Sequence, residues 1–146
     1  MPTPSNSSDV RERSLVRTQL VTTKPWGREV LWARTPEYAA KMLHIDEGHA
    51  LSMQYHREKR ETLYVAQGTV SVESRIVGTD VLETWRDLFF EGQAFHVEPL
   101  TIHRIASVNG PAVLVEVSTP ELDDVVRLLD DYGRAAVRGG TNQDAT

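Results

Sequence analysis

The stretch that decides the fold runs from Gly48 to Gly68, GHALSMQYHREKRETLYVAQG. If 51–55 forms a strand, alternation sends Gln54 and His56 to one face, and a short turn returns Glu61 beside them. Imidazole, amide oxygen and carboxylate gathered in this way make a hard-to-borderline donor set that suits Zn, Fe, Mn, Ni or Co. His103 stands far downstream, in a strand that follows Gly92, and is the fourth candidate ligand. Glu61 carries most of the argument, because an inward-facing carboxylate costs several kcal/mol unless a metal or a cation pairs with it.

Outward from this stretch the chain alternates short β-like segments with turn residues. The segments are 29–33, 40–45, 51–55, 62–66, 69–75, 82–88, 93–97, 102–107 and 112–117, with turn glycines at Gly48, Gly68, Gly78, Gly92 and Gly110. Nine strands of about five residues predict an all-β fold, a small antiparallel sandwich or barrel such as a jelly roll. A βαβ arrangement lacks the helices it needs. One late segment breaks the rhythm: Thr119 and Pro120 read as a helix start, and Leu122, Val125, Val126 and Leu129 recur at helical spacing. A short C-terminal helix is expected there, ended by Gly133, with Asp123, Asp124, Arg127, Asp130 and Asp131 on its solvated face. These carboxylates lack the spacing of a calcium loop.

At 146 residues and 40% hydrophobic, the chain supports one core, so a single domain is expected over 15–137. The Pro- and Ser-rich 1–14 and the polar 138–146 read as mobile tails. Lys and Arg number 16 against 21 Asp and Glu, a net charge of −5, with no basic stripe to offset phosphate repulsion, which argues against nucleic acid. There is no cysteine, so disulfides and thiolate zinc sites are excluded. No apolar run reaches the roughly 20 residues of a membrane span and the N-terminus lacks a signal-peptide core, so no membrane partner is expected and cytoplasm is the expected compartment.

Gly48, Gln54, His56, Glu61 and Gly68 stand at the spacing of the first cupin motif, with glutamine in place of the usual first histidine. Glutamine there resembles the phosphomannose isomerases. KPWGRE at 24–29, LSMQYH at 51–56 and LDDVVRLLDDYGR at 122–134 resemble more closely the C-terminal cupin domain of the type II phosphomannose isomerase/mannose-1-phosphate guanylyltransferase family. The resemblance spans nearly the whole folded part and implies a single cupin jelly-roll barrel. It also implies one divalent metal, zinc first, on Gln54, His56, Glu61 and His103. In the second motif Gly92 and His103 keep the expected separation, but Glu98, Pro99 and Leu100 occupy the place of a Pro-x-Gly turn and Asn109 is displaced by two positions. The missing glycine implies a reshaped loop at the barrel mouth. No glycine-rich phosphate loop is present and 146 residues leave no room for a nucleotidyltransferase domain, so guanylyltransferase chemistry is not expected.

Arg57, Lys59 and Arg60 fall in the turn between His56 and Glu61, where they are candidates to bind an anionic substrate or simply to be solvated. Lys41 shares strand parity with Leu43 and Ile45 and is a candidate proton carrier inside the cavity. His44, His49 and His96 are not expected to be ligands, since the family geometry turns Phe95 and Val97 inward and His96 outward. Trp26 and Tyr132 are expected to be packing residues, and 102–105 and 113–117 to be barrel walls. Three functions compete. One is metal-dependent aldose-ketose isomerisation of a sugar phosphate such as mannose 6-phosphate, in carbohydrate metabolism. The second is an oxygenase or lyase of small metabolites, and the third a non-catalytic barrel that binds a sugar or other small ligand. A homodimer is expected, with 15–23 as the pairing strand.

Overall fold

The computed structural model describes residues 18–76 and 84–134. The expected tails, Gly78, the beginnings of the 15–23 and 82–88 segments and the end of 15–137 lie outside the described residues. Within them the chain folds into eleven strands: β1 Leu20–Lys24, β2 Gly27–Arg34, β3 Ala39–Ile45, β4 Met53–Tyr55, β5 Glu61–Gln67, β6 Val70–Ile76, β7 Trp85–Phe89, β8 Ala94–Val97, β9 Thr101–Ser107, β10 Ala112–Ser118 and β11 Val126–Leu129. They form two antiparallel sheets in the orders β1-β2-β3-β10-β5-β8 and β11-β4-β9-β6-β7. This is the jelly roll that the alternating segments predict.

The inner face of the six-stranded sheet changes character along its strands. Register places Leu43, Leu114 and Val65 side by side, then Lys41, Glu116 and Leu63, then Ala39, Ser118 and Glu61. The first row closes the core with Trp26, Ile45, Val70, Val72 and Ile105 from both sheets. The other two rows introduce charge. One end of the barrel is therefore an apolar plug and the other a polar cavity, set by which inward positions carry ionisable side chains.

Gly68, at the hairpin between β5 and β6, has φ 81°, and a Cβ there would run into the Pro111 carbonyl oxygen. Conformation and space both require glycine.

The expected helix over 122–131 is not formed. Leu122 and Val125 sit in turns, with Leu122 N–H donating to Pro120 and Val125 N–H to Asp123, and 126–129 is strand β11, paired with β4 through Val126 with Tyr55, Arg127 with Gln54 and Leu129 with Met53. Without it β4 would be an open edge of the five-stranded sheet, and pairing that edge outweighs a weak helical periodicity in a segment with adjacent β-branched valines. Nor is the acidic run a plain solvated face. Asp124 accepts three backbone hydrogen bonds, Asp130 binds Arg134 and Asp131 reaches Arg104 at 2.6 Å.

Candidate metal centre and its cavity

Three of the four predicted ligands converge. Strand β4 ends at Tyr55 and releases His56 inward, Glu61 opens β5 with its side chain inward, and His103 lies on β9 directly opposite Gln54. His56, Glu61 and His103 are each buried to 3% exposure or less, and their ligand atoms lie within 4.8 Å of one another. Glu61 Oε1 is 3.2 Å from His56 Nε2 and 3.1 Å from His103 Nε2.

Both imidazoles are fixed in the same tautomer by backbone carbonyls. His56 Nδ1 donates to Asp124 O at 2.6 Å and His103 Nδ1 to Thr101 O at 2.9 Å. A carbonyl only accepts, so each Nδ1 carries a proton and Nε2 is the ring nitrogen that faces Glu61, a metal-ligand atom whenever it is unprotonated. This is the second-sphere arrangement that orients metal-binding histidines. His103 Nε2 and Glu61 Oε2 are both fully buried, and their near neighbours are other ionisable groups of the cavity: Glu61 Oε1 at 3.1 Å and Lys59 Nζ at 3.2 Å. Two imidazole nitrogens and a carboxylate gathered in this way fit a first-row divalent ion. Gln54 lines the same cavity, and its Oε1 accepts the Ser52 hydroxyl at 2.8 Å.

The remaining predicted residues are divided by the structure. Lys59 is buried, 5% exposed, with Nζ 3.2 Å from Glu61 Oε2 and 3.7 Å from Glu116 Oε2. Arg57 and Arg60 are exposed and do not line the cavity, and Arg60 pairs with Glu98 at 2.9 Å. The 57–60 turn thus sends its central lysine inward and its arginines to solvent. Lys41 lines the cavity and bonds Glu29 at 2.8 Å, with Lys24 at 3.9 Å from the same carboxylate. His44, His49 and His96 lie away from the triad: His49 stacks on Tyr132 at 6.1 Å, and His96 contacts Thr62 and Glu98 on the outer face. Trp26 is in the core and Tyr132 packs against it.

Glu116 corrects the reading of 113–117 as plain wall. Its side chain is buried, faces Lys59, and lines the cavity. Strand parity with Leu114 is the signal that finds it, and parity with Leu31 and Leu43 finds Glu29 and Lys41. Burial and the adjacent Glu61 charge push the Glu116 carboxyl up to about 8, Lys59 opposing. Burial also acts to raise Glu61, but the two imidazoles, Glu116 and Lys59 outweigh it and hold that carboxyl well below its usual range. Lys59 is raised: burial lowers it, and the two glutamates more than compensate. Near neutrality Glu61 is the anion and Glu116 carries a proton.

The mouth beside His103 also differs from expectation. Thr101 N–H donates to Glu98 O, Pro99 takes the first corner, and Leu100 takes the second with φ 64°. This is the conformation glycine favours there. The loop keeps that left-handed corner with leucine in it, and Leu100 N–H ties it to His56 O at 2.7 Å.

The profile of the mannose-6-phosphate isomerase C-terminal family matches residues 11–131. The chain belongs to that family. Among curated relatives of this family member, the alginate biosynthesis protein AlgA of Pseudomonas aeruginosa is 26% identical over 132 residues, 88% of this chain and 26% of its own length. The xanthan biosynthesis protein XanB of Xanthomonas campestris is 30% identical over 115 residues, 76% of this chain and 23% of its own. The chain thus spans about a quarter of the length of these relatives. The capsular polysaccharide assembling protein CapF of Staphylococcus aureus superposes with TM-score 0.68 at 16% identity, over 82% of this chain and 34% of that one, a likeness of fold. The barrel is a cupin jelly roll.

Proposed function

We propose that the protein is a metal-dependent cupin enzyme that interconverts an aldose phosphate and its ketose, with mannose 6-phosphate as the first substrate to test. The carrying observation is the triad: two imidazoles held at Nδ1 by backbone carbonyls, with both Nε2 atoms converging on one buried carboxylate. The proposed ligands are His56, Glu61, His103 and the Gln54 amide oxygen, with zinc as the first metal to try. Bound there, a divalent ion would polarise the carbonyl and hydroxyl oxygens of the sugar.

The chain's own groups supply the rest. Lys59 holds Glu61 Oε2 and leaves Oε1 toward the imidazoles. Lys41 and Glu116 face one another across the β3–β10 pair and line the cavity, an amine and a carboxyl suited to moving a proton between adjacent carbons.

The test has two parts. Zinc-loaded protein should interconvert mannose 6-phosphate and fructose 6-phosphate, and Glu61→Ala should lose both metal and turnover. A full metal site without turnover sinks the isomerisation, and failure of any first-row ion to bind at micromolar concentration sinks the metal enzyme and favours a ligand-binding barrel. One observation favours a second reading, an Fe(II) oxygenase: Gln54 Oε1 is already engaged by Ser52. A ligand set of two histidines and one carboxylate leaves positions open for oxygen. Oxygen uptake with Fe(II) separates the two.

For assembly we propose a homodimer. Val21, Val30, Met42, Val115, Tyr64 and Ala94 stand in one register row across all six strands of the larger sheet, on the face away from the cavity. Light scattering should give twice the chain mass.

A further inference from the structure

Five cations line the cavity: Lys24, Lys41, Lys59, Arg127 and Arg134. Four of them each lie within 4 Å of a carboxylate of the chain. Lys24 and Lys41 share Glu29, Lys59 sits between Glu61 and Glu116, and Arg134 makes a forked contact with Asp130 through Nε and Nη2, both at 2.9 Å. Arg127 differs. Among the described residues no carboxylate pairs with it, and its Nε is buried with no acceptor.

An arginine cannot shed its charge, a buried guanidinium N–H without an acceptor is costly, and none of the described residues supplies one to Nε, so Arg127 is the cavity cation most open to an incoming acceptor. Its position says from where. Arg127 stands on β11 in direct register with Gln54 of β4, and Gln54 in turn with His103 of β9. Arg127 lines the cavity in register with the triad, so an acceptor that enters there meets it in line with His103. The planar guanidinium fork matches the two oxygens of a carboxylate or phosphate, which a lysine point charge does not.

We propose that Arg127 is the oxyanion-binding residue of this cavity, taking the phosphate or carboxylate group of the substrate in a forked contact while the sugar carbons lie toward His56, Glu61 and His103. This rests on the reading of the cavity as a site for an anionic sugar, and moves anion recognition from the 57–60 turn to β11. Lys24 lines the same cavity, and its contact with Glu29 is long at 3.9 Å.

The experiment is calorimetric titration of the zinc-loaded full chain with inorganic phosphate, glucuronate and neutral mannose, for the natural sequence, Arg127→Gln and Arg127→Lys. Zinc content and melting temperature are recorded alongside. One anion is expected to bind more tightly than mannose, phosphate marking a phosphate ester and glucuronate a uronate as the ligand class. Arg127→Gln should weaken it by about ten- to a hundredfold at unchanged zinc content, the range of a lost charge-assisted hydrogen bond. Arg127→Lys should weaken it severalfold, and decides the matter if the glutamine variant folds poorly. Unchanged anion affinity in both variants, or no anion preference in the natural sequence, overturns the proposal. No turnover is needed: phosphate bound through Arg127 without isomerisation keeps this site and sinks the reaction, whereas isomerisation with an indifferent Arg127 does the reverse.

Discussion

Asp124 holds two parts of the site in register at once, and Asp124→Ala separates them from the rest of the fold. Its carboxylate accepts the backbone N–H groups of Arg57, Glu58 and Lys59 at 3.0, 2.7 and 2.8 Å, while its own carbonyl accepts His56 Nδ1–H. The first set shapes the turn that sends Lys59 inward; the second fixes the His56 tautomer. Hydrogen bonds to a charged group contribute about 1.5–3 kcal/mol each when sheltered, but two of these three donors are exposed and regain water on mutation. Alanine should therefore cost about 2–3 kcal/mol in all, comparable to losing a strong cap plus one sheltered bond. For a domain of this size that is a fall of roughly 6–12 °C in melting temperature. The His56 carbonyl partner survives the substitution in principle but loses its anchor, so zinc affinity should fall about 10–100-fold, as for other second-sphere partners. The backbone bonds hold the Asp124 carboxyl below its usual value, against burial that acts to raise it. Its folded value is thus below its unfolded one, so its stabilisation is complete above about pH 4 and is lost as pH falls through the lower folded value. Melting curves from pH 3 to 7 and competitive zinc titration check both effects. A variant that melts within 1 °C of the natural protein and binds zinc equally well refutes the reasoning; Asp124→Asn, which keeps the shape with weaker acceptance, should lie between.

Three further substitutions probe other links. Leu100→Gly relieves a left-handed leucine and should raise stability by about 0.5–1 kcal/mol in denaturant unfolding, whereas a loss would mean the leucine side chain contributes more than its backbone costs. Gly68→Ala sets a methyl against the Pro111 carbonyl at positive φ and should destabilise by at least about 2 kcal/mol; a neutral result would show that the hairpin relaxes freely. Lys59→Met leaves the Glu61 anion beside the Glu116 carboxyl without its cation and should cost about 3–5 kcal/mol in metal-free protein, with zinc recovering part of it. If the metal-free variant melts like the natural chain, Lys59 is not what neutralises the pair.

The fold was legible because its strands are short, alternate cleanly and are punctuated by glycines whose φ is positive at Gly48, Gly68 and Gly92. What misled was a segment with two periods. Leu122, Val125, Val126 and Leu129 satisfy a helical spacing, but Val125, Arg127 and Leu129 equally satisfy a strand. Local sequence does not separate these. The decision is made by Met53–Tyr55, three residues long and lacking a neighbour on one side until β11 arrives. That edge is a tertiary fact, and it also carries Arg127 to the cavity instead of to solvent.

The same distinction divides the site. His56, Lys59 and Glu61 lie within six residues on one strand-turn-strand unit, so local alternation nearly suffices to assemble the carboxylate end. The polar wall opposite comes from Glu29, Lys41 and Glu116, on β2, β3 and β10, and these meet because the register sets Lys41 beside Glu116 and Glu29 beside Leu43. On β10 the signal was hidden by valines: Val113, Val115 and Val117 face outward, Val117 at 48% exposure, while the buried positions are Ala112, Leu114, Glu116 and Ser118. An apolar run thus concealed a strand whose ionisable member points inside. Its burial beside Lys59 is tolerable because each carboxylate of the cavity wall has a cation within 4 Å. Arg127 stands outside that set: among the described residues no carboxylate pairs with it, and its guanidinium is the cation left free to engage a ligand.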